Sequence, residues 1–341
     1  MTTPVPQLTF TSRRTQVGPS APPIATPLFD EEAAPALPFA PGLFGRGVAA
    51  TDVDGDGAPD FIIATGGGAV IYRNAGAQGF VDETSLLLPA AAQGSLPGTN
   101  LPVVGDLNGD GRVDLILLVE GGLGDDLVFF GTVGGTLVPG GSLPSVDAVS
   151  SEAVLVDVDS DGDLDVVRSV GTSGHATASG RDSLCLNNGS GVFTESMAFR
   201  NAMWNGDSIP TTGVAALDAN GDGNVDLFFT RADSGSATGS PGAWNILVYG
   251  QGNGQFVDAS SSLPGMKDQS YGAVPLDLEG DGDLDLVVCN SIIALGGAAS
   301  GDVLVNQGGD QGGLEGTYVD RFGSIEESAI PAEAIRLGPL S

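Results

Sequence analysis

A nine-residue arrangement of short oxygen-bearing side chains occurs five times in this chain: Asp52 to Asp60 (DVDGDGAPD), Asp106 to Asp114 (DLNGDGRVD), Asp157 to Asp165 (DVDSDGDLD), Asp218 to Asp226 (DANGDGNVD) and Asp277 to Asp285 (DLEGDGDLD). Positions 1, 5 and 9 are always Asp, and position 6 is always Gly. Position 3 is Asp54, Asn108, Asp159, Asn220 or Glu279, and position 5 is Asp56, Asp110, Asp161, Asp222 or Asp281. Oxygens at alternating positions of a tight turn can converge on one point, which suits a hard cation such as Ca2+ with its about six to eight oxygen ligands. The glycine at position 6 lets the chain reverse. Position 7 (Ala58, Arg112, Asp163, Asn224, Asp283) varies in type, as expected of a residue that offers its backbone carbonyl. Asp at position 9 closes the site, and about five Ca2+ per chain are expected.

Turns rich in Asp and Gly also form without metal, by side-chain hydrogen bonds to the local backbone. Five copies in register argue against that simpler reading here. So many carboxylates held together would oppose folding unless compensated, and a bound cation is the compensation expected. The loop resembles the first half of an EF-hand, but no Glu follows at position 12 and a β-like run replaces the helix.

The segments around each loop repeat as well, with a period of roughly 50–60 residues. A short apolar strand runs into the loop, a second starts at the loop's last Asp, and a third leads through a Gly/Asn turn into a fourth. In the first unit these strands are expected at 47–51, 60–64, 69–73 and 78–82; in the third, at 152–156, 165–170, 183–187 and 191–195. In the third unit Asn187-Asn-Gly-Ser-Gly191 supplies the hairpin turn. A four-stranded antiparallel meander with this period cannot cover both of its faces and stacks radially on its neighbours, so the fold expected is an all-β propeller. Almost no helix is expected.

Residues 47–320 hold the five units. The 1–46 segment ends like a repeat, because Pro27-Leu-Phe-Asp-Glu-Glu32 echoes Gly79-Phe-Val-Asp-Glu-Thr84, and the 321–341 segment contains Ala332-Glu-Ala-Ile-Arg-Leu-Gly338, which aligns with an innermost strand. Outer strands from 1–46 and an inner strand from 321–341 would build a sixth, composite blade that removes the open edges. Six blades are preferred; five or seven stay open.

At this point the repeats resemble the FG-GAP/VCBS family, the calcium-loop propellers of integrin α-chain heads and of many bacterial secreted proteins. The matching text is Val48-Ala-Ala-Thr-Asp-Val-Asp-Gly-Asp-Gly57, Asp60-Phe-Ile-Ile63, Val70-Ile-Tyr-Arg-Asn-Ala-Gly76 and Gly79-Phe80. The resemblance implies cations in the hairpin between the first and second strands of each blade. It does not imply one activity.

Formal net charge is −31, with 43 acidic and 12 basic residues, and close to half of the acidic groups lie in the five loops. Five dications would still leave the chain strongly negative, so nucleic acid and anionic membranes are expected to be poor partners. No apolar run approaches the ~18 residues of a membrane span. The N-terminus, MTTPVPQLTF, has no basic and apolar leader pattern. An extracellular or cell-surface place, in a form already mature or exported by another route, is expected. Cys185 and Cys289 sit in apolar runs and are read as small buried hydrophobes.

In an up-and-down blade the metal loops and the short strand 3–4 turns share one face. The long segments share the other, and ligand binding is sought there. Candidate ligand residues are Arg181, Trp204, Asp207, Arg231 and Tyr271. Trp204 in a Gly-containing connector could stack on a sugar or fill a protein pocket, or pack between blades. The lone His175 is read as solvated, and Trp244, at the start of a strand, as core.

Non-enzymatic recognition, adhesion or assembly is therefore expected, with a protein, a surface glycan or copies of the chain itself as partner. A lectin is the alternative, although no aromatic pocket repeats from blade to blade. A polysaccharide lyase ranks lower: its chemistry needs a cluster of basic groups, which is not evident, and no G-x-S-x-G or H-E-x-x-H motif is present. The chain is expected not to be an enzyme.

Overall fold

The structure is a computed structural model that describes residues 45–93, 99–119, 125–144, 150–171, 182–197, 199, 211–232, 243–265, 269–290, 301–308 and 313–320. Five four-stranded antiparallel sheets follow one another along the chain. The first contains β1 (Gly45–Thr51), β2 (Asp60–Thr65), β3 (Gly68–Asn74) and β4 (Phe80–Asp82). The second contains β5 (Thr99–Gly105), β6 (Asp114–Val119), β7 (Leu127–Gly131) and β8 (Leu137–Ser142). β9 (Ser150–Val156), β10 (Asp165–Val170), β11 (Ser183–Asn187) and β12 (Phe193–Glu195) make the third. The fourth is β13 (Thr211–Leu217), β14 (Asp226–Arg231), β15 (Ile246–Gly250) and β16 (Phe256–Asp258). β17 (Ser270–Leu276), β18 (Asp285–Asn290), β19 (Gly301–Asn306) and β20 (Tyr318–Asp320) make the fifth.

Each sheet is a meander in sequence order. The strands expected in the first and third units fall within two residues of those observed. Gly45 and Arg46 belong to β1, so the first unit starts two residues earlier than its sequence boundary. One helical turn, α1 (Thr84–Leu87), lies in the first connector.

The first strands of successive sheets pack on one another, β1 on β5, β5 on β9, β9 on β13 and β13 on β17. The core is correspondingly divided into four layers, one between each pair of sheets. Strand alternation makes this possible, because successive side chains point to opposite faces. In β6, Leu115 and Leu117 pack toward the first sheet while Ile116 and Leu118 pack toward the third. In β14, Leu227 and Phe229 face the third sheet and Phe228 the fifth. This radial arrangement is the propeller-like all-β fold expected. The sixth, composite blade assigned to 1–46 and 321–341 lies outside the described residues, apart from Gly45 and Arg46.

Cys185 is buried between the second and third sheets. Cys289 is exposed, contrary to expectation. Its strand-mates Leu286 and Val288 face the fourth sheet, so Cys289 lies on the outward face of the last described sheet, paired with Gly272 and Gly301.

Candidate metal centre

Each first-to-second-strand hairpin is tied together by its own carboxylates. In the first loop, Asp52 Oδ1 accepts the N–H groups of Gly55 (2.8 Å) and Asp56 (3.1 Å), and Oδ2 accepts that of Gly57 (2.8 Å). Asp54 Oδ1 takes the Asp56 N–H (3.1 Å) and Asp56 Oδ1 takes the Ala58 N–H (2.8 Å). These bonds wrap the backbone around the position-1 carboxylate, which requires left-handed backbone at Gly55 (φ 79°) and Gly57 (φ 90°). Position 4 obeys the same demand in the third loop with Ser160 at φ 62°.

The Asp at position 9 acts as a clip between three segments. Asp60, Asp114, Asp165, Asp226 and Asp285 are all fully buried. One oxygen of each accepts the N–H of loop position 2: Val53 (2.9 Å), Leu107 (2.8 Å), Val158 (3.1 Å), Ala219 (2.9 Å) and Leu278 (2.9 Å). The other accepts the N–H at the end of the third strand: Asn74 and Gly131 at 2.7 Å, Asn187, Gly250 and Asn306 at 2.8 Å.

Oxygens from Asp52, Asp54 and Asp60 lie within 4.8 Å of one another, as do those of Asp157, Asp159 and Asp165. Positions 1, 3 and 9 thus converge in the first and third loops. Position 5 stands apart from these two groups: Asp56 and Asp161 cap the N–H of position 7 (2.8 and 3.0 Å). In the second and fourth loops Asn108 and Asn220 make the same turn, accepting the N–H groups of Asp110 (3.1 Å) and Asp222 (2.9 Å). Arg112 at position 7 of the second loop pairs with Asp110 and also donates to the Gly131 carbonyl (3.1 Å). Glu279 in the fifth loop is exposed.

The donor set fits a hard cation. Asp159 Oδ1, Asp218 Oδ1 and both oxygens of Asp283 are buried without a hydrogen-bond partner among the described residues, and a hard cation is one group that can satisfy such oxygens. Burial, reinforced by neighbouring carboxylates, pushes Asp165 and Asp226 up to about 6 and Asp283 up to about 7, against the pull of backbone N–H donors on the first two. Asp60, Asp114 and Asp285 are raised for the same leading reason, desolvation.

The sequence matches the FG-GAP-like repeat family at residues 52–117, 157–229 and 218–288, more than half of the chain. The chain belongs to that family. No curated protein matches it by sequence.

Among solved structures, the FG-GAP chain is similar to the biofilm matrix protein Bap1 of V. cholerae, with 17% identity and a TM-score of 0.41. That alignment covers 80% of this chain and 38% of Bap1. An endo-1,4-beta-xylanase from Bacteroides thetaiotaomicron aligns at 12% identity and TM-score 0.42, over 80% of this chain and 94% of the xylanase. An exo-beta-1,3-galactanase from Phanerochaete chrysosporium aligns at 12% identity and TM-score 0.41, over 72% and 55% of the two chains. The FG-GAP chain therefore spans about two fifths of Bap1 and just over half of the galactanase.

These names correct one expectation. Exclusion of enzymes does not stand, because the similar structures are mainly glycoside hydrolases, and a paucity of basic residues was no ground for excluding them. At such identities and TM-scores the likeness carries no activity, substrate or partner across.

Of the ligand residues expected from sequence, Arg181, Trp204 and Asp207 lie outside the described residues, as does His175. Arg231, the last residue of β14, is buried, and its Nη1 donates to the Trp244 carbonyl at 3.5 Å. Tyr271 is 40% exposed on β17. Arg231 and the residue before Tyr271 are joined through Asn245, whose Oδ1 accepts the Arg231 N–H (3.0 Å) and whose Nδ2 donates to Ser270 Oγ (3.0 Å). Trp244, read as core, is 59% exposed. It precedes β15 by two residues, outside the alternation that buries strand side chains.

Sequence reading also missed a latch between blades. A hydroxyl stands seven residues before the loop's first Asp in four units: Thr99, Ser150, Thr211 and Ser270, all buried. Each reaches the preceding sheet: Thr99 to the Thr65 carbonyl (3.0 Å), Ser150 to Asp126 (2.6 Å), Thr211 to Asp182, and Ser270 to Asn245. Asp126 also binds the buried Arg168 guanidinium at 2.6 Å, which ties the second sheet to the third. The fixed offset from each metal loop was the available signal.

Proposed function

We propose that this chain is a calcium-loaded FG-GAP propeller that works outside the cell or at its surface as a recognition or assembly module. Positions 1, 3 and 9 of each loop would hold the ion, with position 5 and the position-7 carbonyl completing its oxygen shell. The ion would supply positive charge that neutralises clustered carboxylates and rigidifies the hairpins. Binding of a protein or glycan, or of further copies of the chain, is assigned to the face opposite the loops.

The observation that carries this reading is the convergence of Asp52, Asp54 and Asp60, repeated by Asp157, Asp159 and Asp165. Of the four unpartnered carboxylate oxygens in the loops, those of Asp159 at position 3 and Asp218 at position 1 support it. The chain segments 1–46 and 321–341 are proposed to close the ring as a sixth blade. Val48 (59%), Val274 (59%) and Leu278 (44%) on the terminal sheets carry the exposed apolar surface such a blade would cover.

Calcium titration by calorimetry tests the metal sites. Wild type is expected to bind several Ca2+ with dissociation constants in the ~10⁻⁴–10⁻³ M range of extracellular modules or tighter. Asp54→Ala is expected to remove one site and leave the others. Absence of heat and of bound calcium in the wild type would overturn the reading.

A further inference from the structure

The face opposite the FG-GAP loops has a cavity of about 250 Å³ between the fourth and fifth sheets. It is bounded by Trp244 before β15, by Ser260, Ser261 and Pro264 in the connector between sheets, and by Asp302 and Leu304 on β19. Trp244, the connector residues and Asp302 lie at the ends of the blades away from the Asp loops, and Leu304, further along β19, forms the floor. The volume is below the ~300 Å³ at which drug-sized ligand sites begin, so it suits a small group.

The walls differ in chemistry. Trp244 presents a large aromatic surface, 59% exposed, that most folds would bury. Its backbone is fixed from behind by Arg231, and its neighbour Asn245 by Arg231 and Ser270. Asp302 is only 4% exposed, and its Oδ2 accepts from the Asn290 side chain at 2.6 Å, which fixes the orientation of a carboxylate in the cavity wall. Ser261 is exposed beside it, and Pro264 and Leu304 add apolar surface.

We propose that this cavity is a subsite for one neutral pyranose residue of a glycan. A pyranose ring has an apolar C–H face for the indole and a rim of hydroxyls that a carboxylate and serines can hold. One aromatic wall, rather than several, favours a sugar over a quaternary ammonium group, whose recognition uses a cage of rings. The buried Asp302 carboxylate and a formal net charge of −31 select against acidic sugars. This inference rests on the reading of that face as the recognition surface and narrows it to a chemical class and a place.

The test is titration of the full, calcium-loaded chain with methyl glycosides of glucose, galactose and mannose, followed by tryptophan fluorescence and calorimetry. At least one glycoside is expected to bind with a dissociation constant of order millimolar, as befits a single small residue. Trp244→Ala and Asp302→Asn should each weaken it about tenfold or more, whereas Val257→Ala, on the outer strand β16, should not. Binding by none of the three sugars, equal binding by Trp244→Ala, or tighter binding of tetramethylammonium than of any sugar would overturn the proposal. Calcium-dependent melting recorded on the same samples separates the two failures: if it persists while sugars do not bind, only the subsite falls.

Discussion

The first four metal loops and the fifth have nearly the same sequence but not the same surroundings. Position 2 is buried in the first four, at Val53, Leu107, Val158 and Ala219, whereas Leu278 in the fifth is 44% exposed. The difference comes from the following blade. Asn187 Nδ2 donates to the Leu107 carbonyl (2.7 Å), the Gly254 N–H to that of Val158 (3.0 Å), and Asn306 Nδ2 to that of Ala219 (2.9 Å). The first loop is met by Gly135, where a side chain would lie 2.9 Å from the Asp54 backbone. Among the described residues nothing comparable reaches the fifth loop. Each of the first four Asp loops is thus packed against the blade that follows it.

The largest effect is expected where a loop's internal clip is removed. Asp165→Ala strands two buried N–H groups, at Val158 and Asn187, and should cost on the order of 3 kcal/mol in denaturant unfolding without calcium, and more with calcium because a ligand of the proposed site is lost as well. Asp285→Ala in the fifth loop strands the equivalent pair. A similar loss there would show that the clip works without a following blade, and a much smaller one would sharpen the contrast between the loops.

Next is the support from the neighbour. Asn187→Ala removes the bond to Leu107 and should cost about 1–2 kcal/mol. It should also weaken calcium binding at the second loop, in the preceding blade. A loss of affinity confined to the third loop would break the comparison.

A smaller, graded effect is expected from pH. In the metal-free folded state Asp165 and Asp226 hold their protons up to about 6 and Asp283 up to about 7, well above the ordinary carboxylate value of 3.8. Between about pH 4 and pH 7 the folded protein therefore binds more protons than the unfolded chain, and its stability falls as pH rises. Calcium favours the ionised carboxylates, so the loaded protein should show the opposite slope. Urea unfolding across that window, with and without calcium, reads both slopes.

Much of this was legible in the sequence because it is local. The Asp spacing located the first-to-second-strand hairpin of every described sheet, and the alternation of apolar residues placed the strands to within two residues in the units where they were assigned. Contacts between blades were not legible in that way. Asn187 reaches Leu107 across 80 residues and Asn306 reaches Ala219 across 87, and no local pattern marks either pairing. The hydroxyl latch was hidden differently, since Thr99, Ser150, Thr211 and Ser270 are ordinary strand residues until their common offset from the loops is noticed. Trp244 and Cys289 were misplaced because an apolar residue near a strand was equated with burial. The first precedes its strand, and the second faces away from the neighbouring sheet.

The most direct measurement is thermal unfolding of the intact chain with calcium and with excess chelator, on samples whose bound metal has been counted. The account predicts about five ions per chain and a large upward shift of the midpoint with calcium. No bound metal and coincident melting curves would contradict it, leaving the Asp loops as turns held by their own hydrogen bonds.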